Sequence, residues 1–318
     1  MRWSKTKKIL SWYLLLLIPL TGTVVFNVYP LLRTLGTSLE NIKGTFIGFT
    51  NYKILFGNDE FKKDVVNTLY MAVLGVGFNV PVAFIIANML NHVRRGKNVF
   101  KVIFLLPMIM SMVTVATLFK YLLMPNESGI VNYLLGFLGI SPKLWLNGAA
   151  TARESLVAMA IWKGIGYNII LFFAGLQSVS RELYEASEID GANEWNKWIY
   201  ITIPCIKNTF VFVLITSSIS ALKRFTEVYA VSGETGNPAG ALGTIMLFIY
   251  KNSFSTLNYK DEGQAAAASI MLFVIILGVT LINYLVTNDK EERPPRRRSA
   301  KCDDGTGKKR RSRRRAGR

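Results

Sequence analysis

Histidine occurs once in the 318 residues, as His92, and cysteine twice, as Cys205 and Cys302. A lone imidazole argues against a catalytic triad or a metal centre built on histidine. Two cysteines so far apart make neither a disulfide framework nor a zinc site. Charge is scarce too: only 18% of residues are charged, where a soluble chain averages roughly a quarter. Acidic residues are the rarer kind, 20 against 38 Lys and Arg, for a formal net charge of +18. A phosphate-binding loop of the form G-x-x-x-x-G-K-[ST] is missing. Its nearest approach, Gly305-Thr-Gly-Lys-Lys309, has Cys302 at the required first glycine and Lys309 at the required Ser or Thr, so nucleotide hydrolysis is not this chain's work.

What the chain does have is apolar length, with 51% of its residues hydrophobic and gathered in long runs. About 20 apolar residues cross a hydrocarbon core about 30 Å thick as a helix, and six stretches reach or approach that length. They are residues 9–32, 65–90, 99–123, 155–177, 206–222 and 265–286, which predicts an all-α integral membrane protein of six transmembrane helices. Arg2, Lys5, Lys7 and Lys8 precede the first run as they would in a signal peptide. The run is too long for one, and no small-x-small cleavage site follows, so an uncleaved anchor is expected.

Lys and Arg in short loops are retained on the cytoplasmic side. Residues 1–8, the connection carrying Arg94, Arg95, Lys97 and Lys101, and a basic tail at 289–318 all fall inside if both termini are cytoplasmic. Arg33, Lys43, Lys53, Lys62 and Lys63 then lie outside, an exception outweighed by the other landmarks. The tail holds 14 Lys and Arg against 5 Asp and Glu, half of the net charge, and contains Pro294-Pro295 and clustered Arg. Such a composition predicts disorder and attraction to anionic membrane lipid, about 1 kcal/mol per basic residue near the surface. Nucleic acid is not an expected partner, because no aromatic platform or recognition fold accompanies the charge. The body of the protein, residues 9–288, contains a long connection at 225–263. Its centre, Gly233-Glu-Thr-Gly-Asn-Pro-Ala-Gly-Ala-Leu-Gly243, cannot cross lipid as free irregular backbone. It is expected at the outer surface or packed inside the protein, with a short helix over 244–250.

The most informative stretch lies between spans four and five, within residues 181–204. Residues 182–186 suit one short helix, Gly191 offers a position where positive φ costs nothing, and Trp195, Trp198 and Ile199 give a second apolar face before Pro204. Singly, Glu185, Asp190 and Gly191 are what any surface helix uses to cap and turn. Together this loop resembles the EAA loop of ATP-binding cassette importer permeases, whose pattern is Glu-Ala-Ala, three residues, Gly, nine residues, Ile, one residue, Leu-Pro. Glu185, Ala186, Ser187, Gly191, Ile201, Ile203 and Pro204 fall at those places, with Ser187 for the second Ala and Ile203 for Leu. The resemblance extends over roughly residues 9–286 and is closest to the carbohydrate branch, carried by Gly175-Leu-Gln177, Leu222-Lys-Arg-Phe-Thr-Glu-Val-Tyr229 and Ile249-Tyr-Lys-Asn-Ser-Phe254. The branch's usual Gly-Gly-Pro is replaced by Gly233-Glu-Thr-Gly-Asn-Pro238.

The resemblance implies a type I importer permease fold and inward movement of a sugar or oligosaccharide, glycerol-3-phosphate or another acidic polyol being the alternative. It implies that a separate ATPase dimer, docked on the loop through Glu185, Ala186, Ser187, Asp190, Gly191, Ile201 and Pro204, drives alternating access. A second, homologous permease subunit and an extracytoplasmic solute-binding protein are the further partners, and ATP and Mg belong to the ATPase, leaving this chain without a cofactor or metal. By position it implies substrate contacts at Gly164 and Tyr167 on span four and Ser217, Ser220, Ala221 and Arg224 on span five. The last four are spaced i, i+3, i+4, i+7 and share one helix face. Packing explains these residues equally: Gly164 for close helix approach, Tyr167 as an interfacial ring, the serines bonded back to their own helix. Lys223 and Arg224, ionisable at membrane depth, are functional candidates by default, with snorkelling or pairing to Glu227 as the alternatives. An ion-coupled secondary transporter is the rival class. It needs intramembrane carboxylates, and the six spans offer only Glu154 and Glu227 at their margins.

Overall fold

A computed structural model describes residues 2–93, 95–255 and 260–288 of the chain. The tail expected at 289–318 lies outside the described residues. In hydrocarbon every backbone polar group needs a partner within the protein, which long apolar runs meet as helices. Among the described residues there is no sheet, only an isolated antiparallel bridge between Glu40 and Phe46.

The first crossing is α1 (Arg2–Thr23), a π turn (Val24–Val28) and α2 (Tyr29–Thr37). The wide turn has a cause: Pro30 has no N–H to donate four residues back, and the Tyr29 N–H bonds instead to the Val24 carbonyl, five residues back. Neither the π turn nor α2 buries a side chain against this chain. A short α3 (Thr50–Gly57) leads to α4 (Asp59–His92), whose first turn is capped by the Asn58 side chain accepting the Phe61 N–H at 3.1 Å.

The third crossing, expected as one helix over 99–123, is broken. Helix α5 (Lys97–Ile109) ends where Met110 and Ser111 turn extended, and α6 (Met112–Leu122) departs at 96°. Pro107 weakens the end of α5, while Ser111 caps a new helix by accepting the Thr114 N–H at 3.2 Å. The Lys163 ammonium donates to the Met108 carbonyl at 3.1 Å, so the backbone at the break does not go unserved.

After α7 (Ile130–Gly136) comes α8 (Ala152–Gln177), the hub of the fold. It packs along α4, burying Val80, Ala83, Phe84 and Ala87 against Ile169, Phe172, Phe173 and Leu176. Helix α5 crosses α8 at Gly166, where a Cβ would stand 2.0 Å from the Phe104 carbonyl oxygen. Such small-residue seats carry helix association in a membrane, where apolar burial against lipid gains little.

The loop helices α9 (Arg181–Ile189), α10 (Glu194–Lys197) and α11 (Ile203–Cys205) precede α12 (Lys207–Leu222). The fifth crossing outlasts its expected end at 222: after a break at 223–225 the chain resumes as α13 (Thr226–Ser232), so the connection expected at 225–263 starts as helix. Helix α14 (Ile245–Phe254) covers the short helix expected there, and α15 (Glu262–Asn288) is the last crossing. Five stretches are long and apolar enough to span a membrane, six if the bent pair counts as one.

Candidate functional site

Helices α4, α8 and α12 enclose a cavity of about 270 Å³. Gly164, Tyr167, Ser217, Ser220, Ala221 and Arg224, singled out in the sequence, all line it. Among the further lining residues, which sequence reasoning did not single out as contacts, are Gly75 and Asn79 from α4, Asn168 from α8, Thr216 from α12 and Glu227 from α13. The signal for the amides was present, since Asn79 and Asn168 interrupt apolar runs and polar side chains at membrane depth are functional candidates. The Asn168 amide donates to Asn79 Oδ1 at 2.6 Å and to Ser217 Oγ at 3.0 Å, joining the three helices by one polar chain. Ser217 therefore faces inward, whereas its neighbour Ser218 bonds back to the Leu214 carbonyl at 2.8 Å.

Lys223 is exposed and does not line the cavity, while Arg224, one residue on, is buried within its wall. No carboxylate lies within ion-pair distance of its guanidinium among the described residues, so the expected alternative of a pair with Glu227 is not formed. Gly75 makes room for this side chain: a Cβ there would approach Arg224 Nη2 to 3.3 Å. By contrast no heavy atom lies within 4 Å of the Cβ position of Gly164, so its place on the wall is open space and not a helix contact.

The loop between α8 and α12 is built from caps. Ser180 accepts the Glu182 N–H at 3.3 Å to start α9. Gly191 ends it with φ +76°, and the N–H groups of Gly191 and Ala192 close back on the carbonyls of Glu188 and Ser187 at 3.1 and 2.9 Å. Asn193 starts α10 by accepting the Asn196 N–H at 2.8 Å. Lys197 then ties the two helices together, donating to Glu188 and Glu194, both at 2.9 Å. These hydrogen bonds, to Glu194 first and Glu188 second, hold its pKa above the ordinary lysine value. A second π turn, Trp198–Thr202, ends just before Pro204 as the first ended before Pro30. Ser187 is buried with its hydroxyl on the Tyr184 carbonyl, Ile201 is half-buried, and Glu185, Ala186, Asp190, Gly191 and Pro204 are exposed. Apolar side chains are exposed beside them: Ile189 is 87% and Trp195 65% accessible. The loop is anchored from behind by Trp198, whose ring meets that of Phe84 on α4 at 5.8 Å.

Residues 79–290, more than half of the chain, match the family described as binding-protein-dependent transport system inner membrane component. The chain belongs to this family. The permease is 33% identical to the arabinooligosaccharides transport system permease protein of Bacillus subtilis (strain 168), over 82% of this chain and 83% of that one. It is also 33% identical to the lactose transport system permease protein of Rhizobium radiobacter, over 82% and 87%. Its structure superposes with a TM-score of 0.78 and 26% identity on a chain of a bacterial alginate importer, crystallised with a periplasmic protein that holds an alginate pentasaccharide. The match covers 90% of the permease and 96% of that chain. The permease is thus a multi-pass inner-membrane protein and not an enzyme, ATP hydrolysis being the task of a separate subunit in this family. Among its described residues no group of His, Cys, Asp and Glu is placed to hold a metal ion.

The segment 239–245 of the permease packs onto α4. Asn67 donates to the carbonyls of Gly240 and Gly243 at 3.0 and 3.1 Å, Lys63 donates to that of Ala239, and Thr68 Oγ1 accepts the Ile245 N–H at 3.1 Å. Arg153, at the start of α8, reaches Asn67 Oδ1 at 3.3 Å and lies over the Tyr70 ring, whose hydroxyl donates to Glu154 at 2.6 Å. This connection, α4 and α8 are thereby one hydrogen-bonded assembly at the N-terminal ends of the two helices.

Proposed function

We propose that the permease moves a sugar or oligosaccharide inward by alternating access through the cavity between α4, α8 and α12. The relatives named for arabinooligosaccharide and lactose transport, and the alginate importer, support a carbohydrate cargo. The observation that carries the reading is the polar chain Asn79–Asn168–Ser217 on a wall of mixed apolar and polar side chains, open on the Gly164 side and flanked by the Tyr167 ring. Amides and hydroxyls can exchange hydrogen bonds with sugar hydroxyls, and an aromatic face covers the apolar side of a pyranose.

The energy enters at residues 181–204. An ATPase dimer docks on the exposed side of the loop at Glu185, Ala186 and Asp190, beside the apolar Ile189 and Trp195. Ser187, Gly191, Ile201 and Pro204 hold the loop in the docking shape. A loaded solute-binding protein engages the outer side, near 225–263, and a second homologous permease completes the passage, with both termini of this chain in the cytoplasm. Co-expression with neighbouring permease and ATPase genes, then measurement of binding-protein-stimulated ATP hydrolysis and sugar uptake, tests the reading. Glu185→Ala combined with Gly191→Pro is expected to abolish uptake while the complex still assembles. Undiminished uptake in that variant, or uptake with no ATPase present, refutes it.

A further inference from the structure

Resting on the cavity being the substrate passage, we infer that the transported sugar carries an oxyanion, a carboxylate or a phosphate, and that Arg224 receives it. The guanidinium belongs to a residue only 8% exposed, yet it lines the cavity. Its Nε is buried with no hydrogen-bond partner, and no described carboxylate lies within 4.0 Å. A cation withdrawn from solvent and left unpaired is costly, and proteins keep one where something else supplies the negative charge. The edge formed by Nε and Nη matches two oxygens of a carboxylate or phosphate in the fork geometry that makes such pairs strong. Neutral hydroxyls do not call for this group, because Asn79, Asn168, Ser217 and Ser220 already offer donors and acceptors on the same wall. Gly75 adds to the picture, since it leaves the guanidinium the space that a side chain would take. Glu227, on the rim of the same cavity, opposes the anion at longer range and keeps its release possible.

The test uses the complete importer in nanodiscs, without the binding protein, so that the permease's own preference is read. Three probes are titrated at low salt: trigalacturonate for the carboxylate, glucose 1-phosphate for the phosphate, and neutral maltotriose. At least one acidic probe is expected to bind about tenfold more tightly than maltotriose, roughly the 1.4 kcal/mol that a tenfold ratio represents. Which one it is distinguishes the two sources of the oxyanion. Arg224→Met should erase the preference, Arg224→Lys should restore part of it as a point charge without the fork, and Glu227→Gln should strengthen it. Equal or weaker binding of both acidic probes, or a preference that survives in Arg224→Met, overturns the inference. Failure of the passage itself reads differently. Gly164→Leu fills open space in the cavity without a backbone clash. If it lowers binding of every probe while charge makes no difference, the passage stands and the anion site falls. If it changes nothing, the ligand is not in this cavity and both fall.

Discussion

Gly191 isolates a backbone effect from a contact effect. Its φ is +76°, and no heavy atom of this chain lies within 4 Å of the position a Cβ would take. Any loss on substitution therefore comes from left-handed strain or from the docked partner, and a substitution series separates the two. The left-handed conformation costs an ordinary residue about 1–2 kcal/mol. That shifts the population of a two-state turn by roughly five- to thirtyfold. Asn tolerates the conformation best, Ala bears the ordinary cost, and a β-branched Val bears more. Proline cannot adopt it at all, since its ring fixes φ near −65°, and it removes the N–H that bonds the Glu188 carbonyl at 3.1 Å. Transport per ATP hydrolysed, measured in proteoliposomes with binding protein, should fall in the order Gly, Asn, Ala, Val, Pro. Ala is expected to keep a measurable fraction and Pro none. Equal loss for Asn, Ala and Pro would show that the position fails because the partner needs the empty space. Full activity of the Pro variant would remove the turn from the coupling mechanism.

Three other perturbations follow from the packing and charge of the loop and helices. Gly166→Ala should separate α5 from α8 or prevent assembly, since its methyl would stand 2.0 Å from the Phe104 carbonyl oxygen, with a cost of about 1–3 kcal/mol or more seen as a lower unfolding temperature. Gly164→Ala, with nothing within 4 Å, should leave that temperature unchanged, and equal effects would contradict the crossing. Asn67→Ala removes the donor shared by the Gly240 and Gly243 carbonyls, so amide exchange over 236–245 should accelerate by about one to two orders of magnitude, at about 1–3 kcal/mol for a carbonyl left unpaired. Unchanged exchange would mean that this segment is held elsewhere. Because the pKa of Lys197 is raised in the folded loop, its contribution is complete below the ordinary lysine value of 10.5 and is lost as pH rises through the higher, folded value. Fluorescence of Trp195 and Trp198 in a variant lacking the other tryptophans should therefore stay flat between pH 7 and 9 and change only in the alkaline limb. A transition near neutrality that depends on Lys197 would contradict the pairing.

Helix number and type were legible because twenty apolar residues in a row have one structural solution in lipid. The turn at Gly191 was legible because a left-handed glycine that closes a short helix is local chemistry. The break in the third crossing was not, although Pro107 and Ser111 stand in the sequence. Either is tolerated inside a membrane helix, and what makes the break affordable is Lys163, fifty-five positions away, reaching the Met108 carbonyl. The six cavity residues had been placed by resemblance, and the partners Asn79 and Asn168 were overlooked because an amide reads as an isolated polar residue until a second amide is brought within 2.6 Å of it. Asn67 and Arg153 escaped for the same reason, since their meaning lies in carbonyls some 170 residues away in one case and in an amide on another helix in the other.

The loop at 181–204 and the cavity share the same helices. Helix α8 carries Gly164, Tyr167 and Asn168 on the cavity wall and ends at Gln177, only three residues before α9 begins to form. Ten residues of helix, about 15 Å, thus separate the Tyr167 ring from the inner end. Behind the loop, Trp198 meets Phe84, and Phe84 meets both Phe172 and Phe210, at ring separations of 5.7–6.0 Å. Through Trp198 the loop thus rests on one ring cluster drawn from α4, α8 and α12. Two seats keep neighbours from sliding freely: Gly166 against the Phe104 carbonyl, and Gly175 against Thr209, whose Oγ1 would be 2.7 Å from a Cβ. These joints bind α8 to α5 at the level of the cavity and to α12 nearer the loop. The Gly164 side of α8 has no such joint, and the polar chain Asn79–Asn168–Ser217 spans the wall beside apolar packing of Ile161 and Ile165. Packed backbones resist displacement, whereas hydrogen bonds exchange partners readily when a sugar offers equivalent ones. On the proposed passage, the side of α8 without a glycine seat is where a change of helix packing meets the least backbone obstruction.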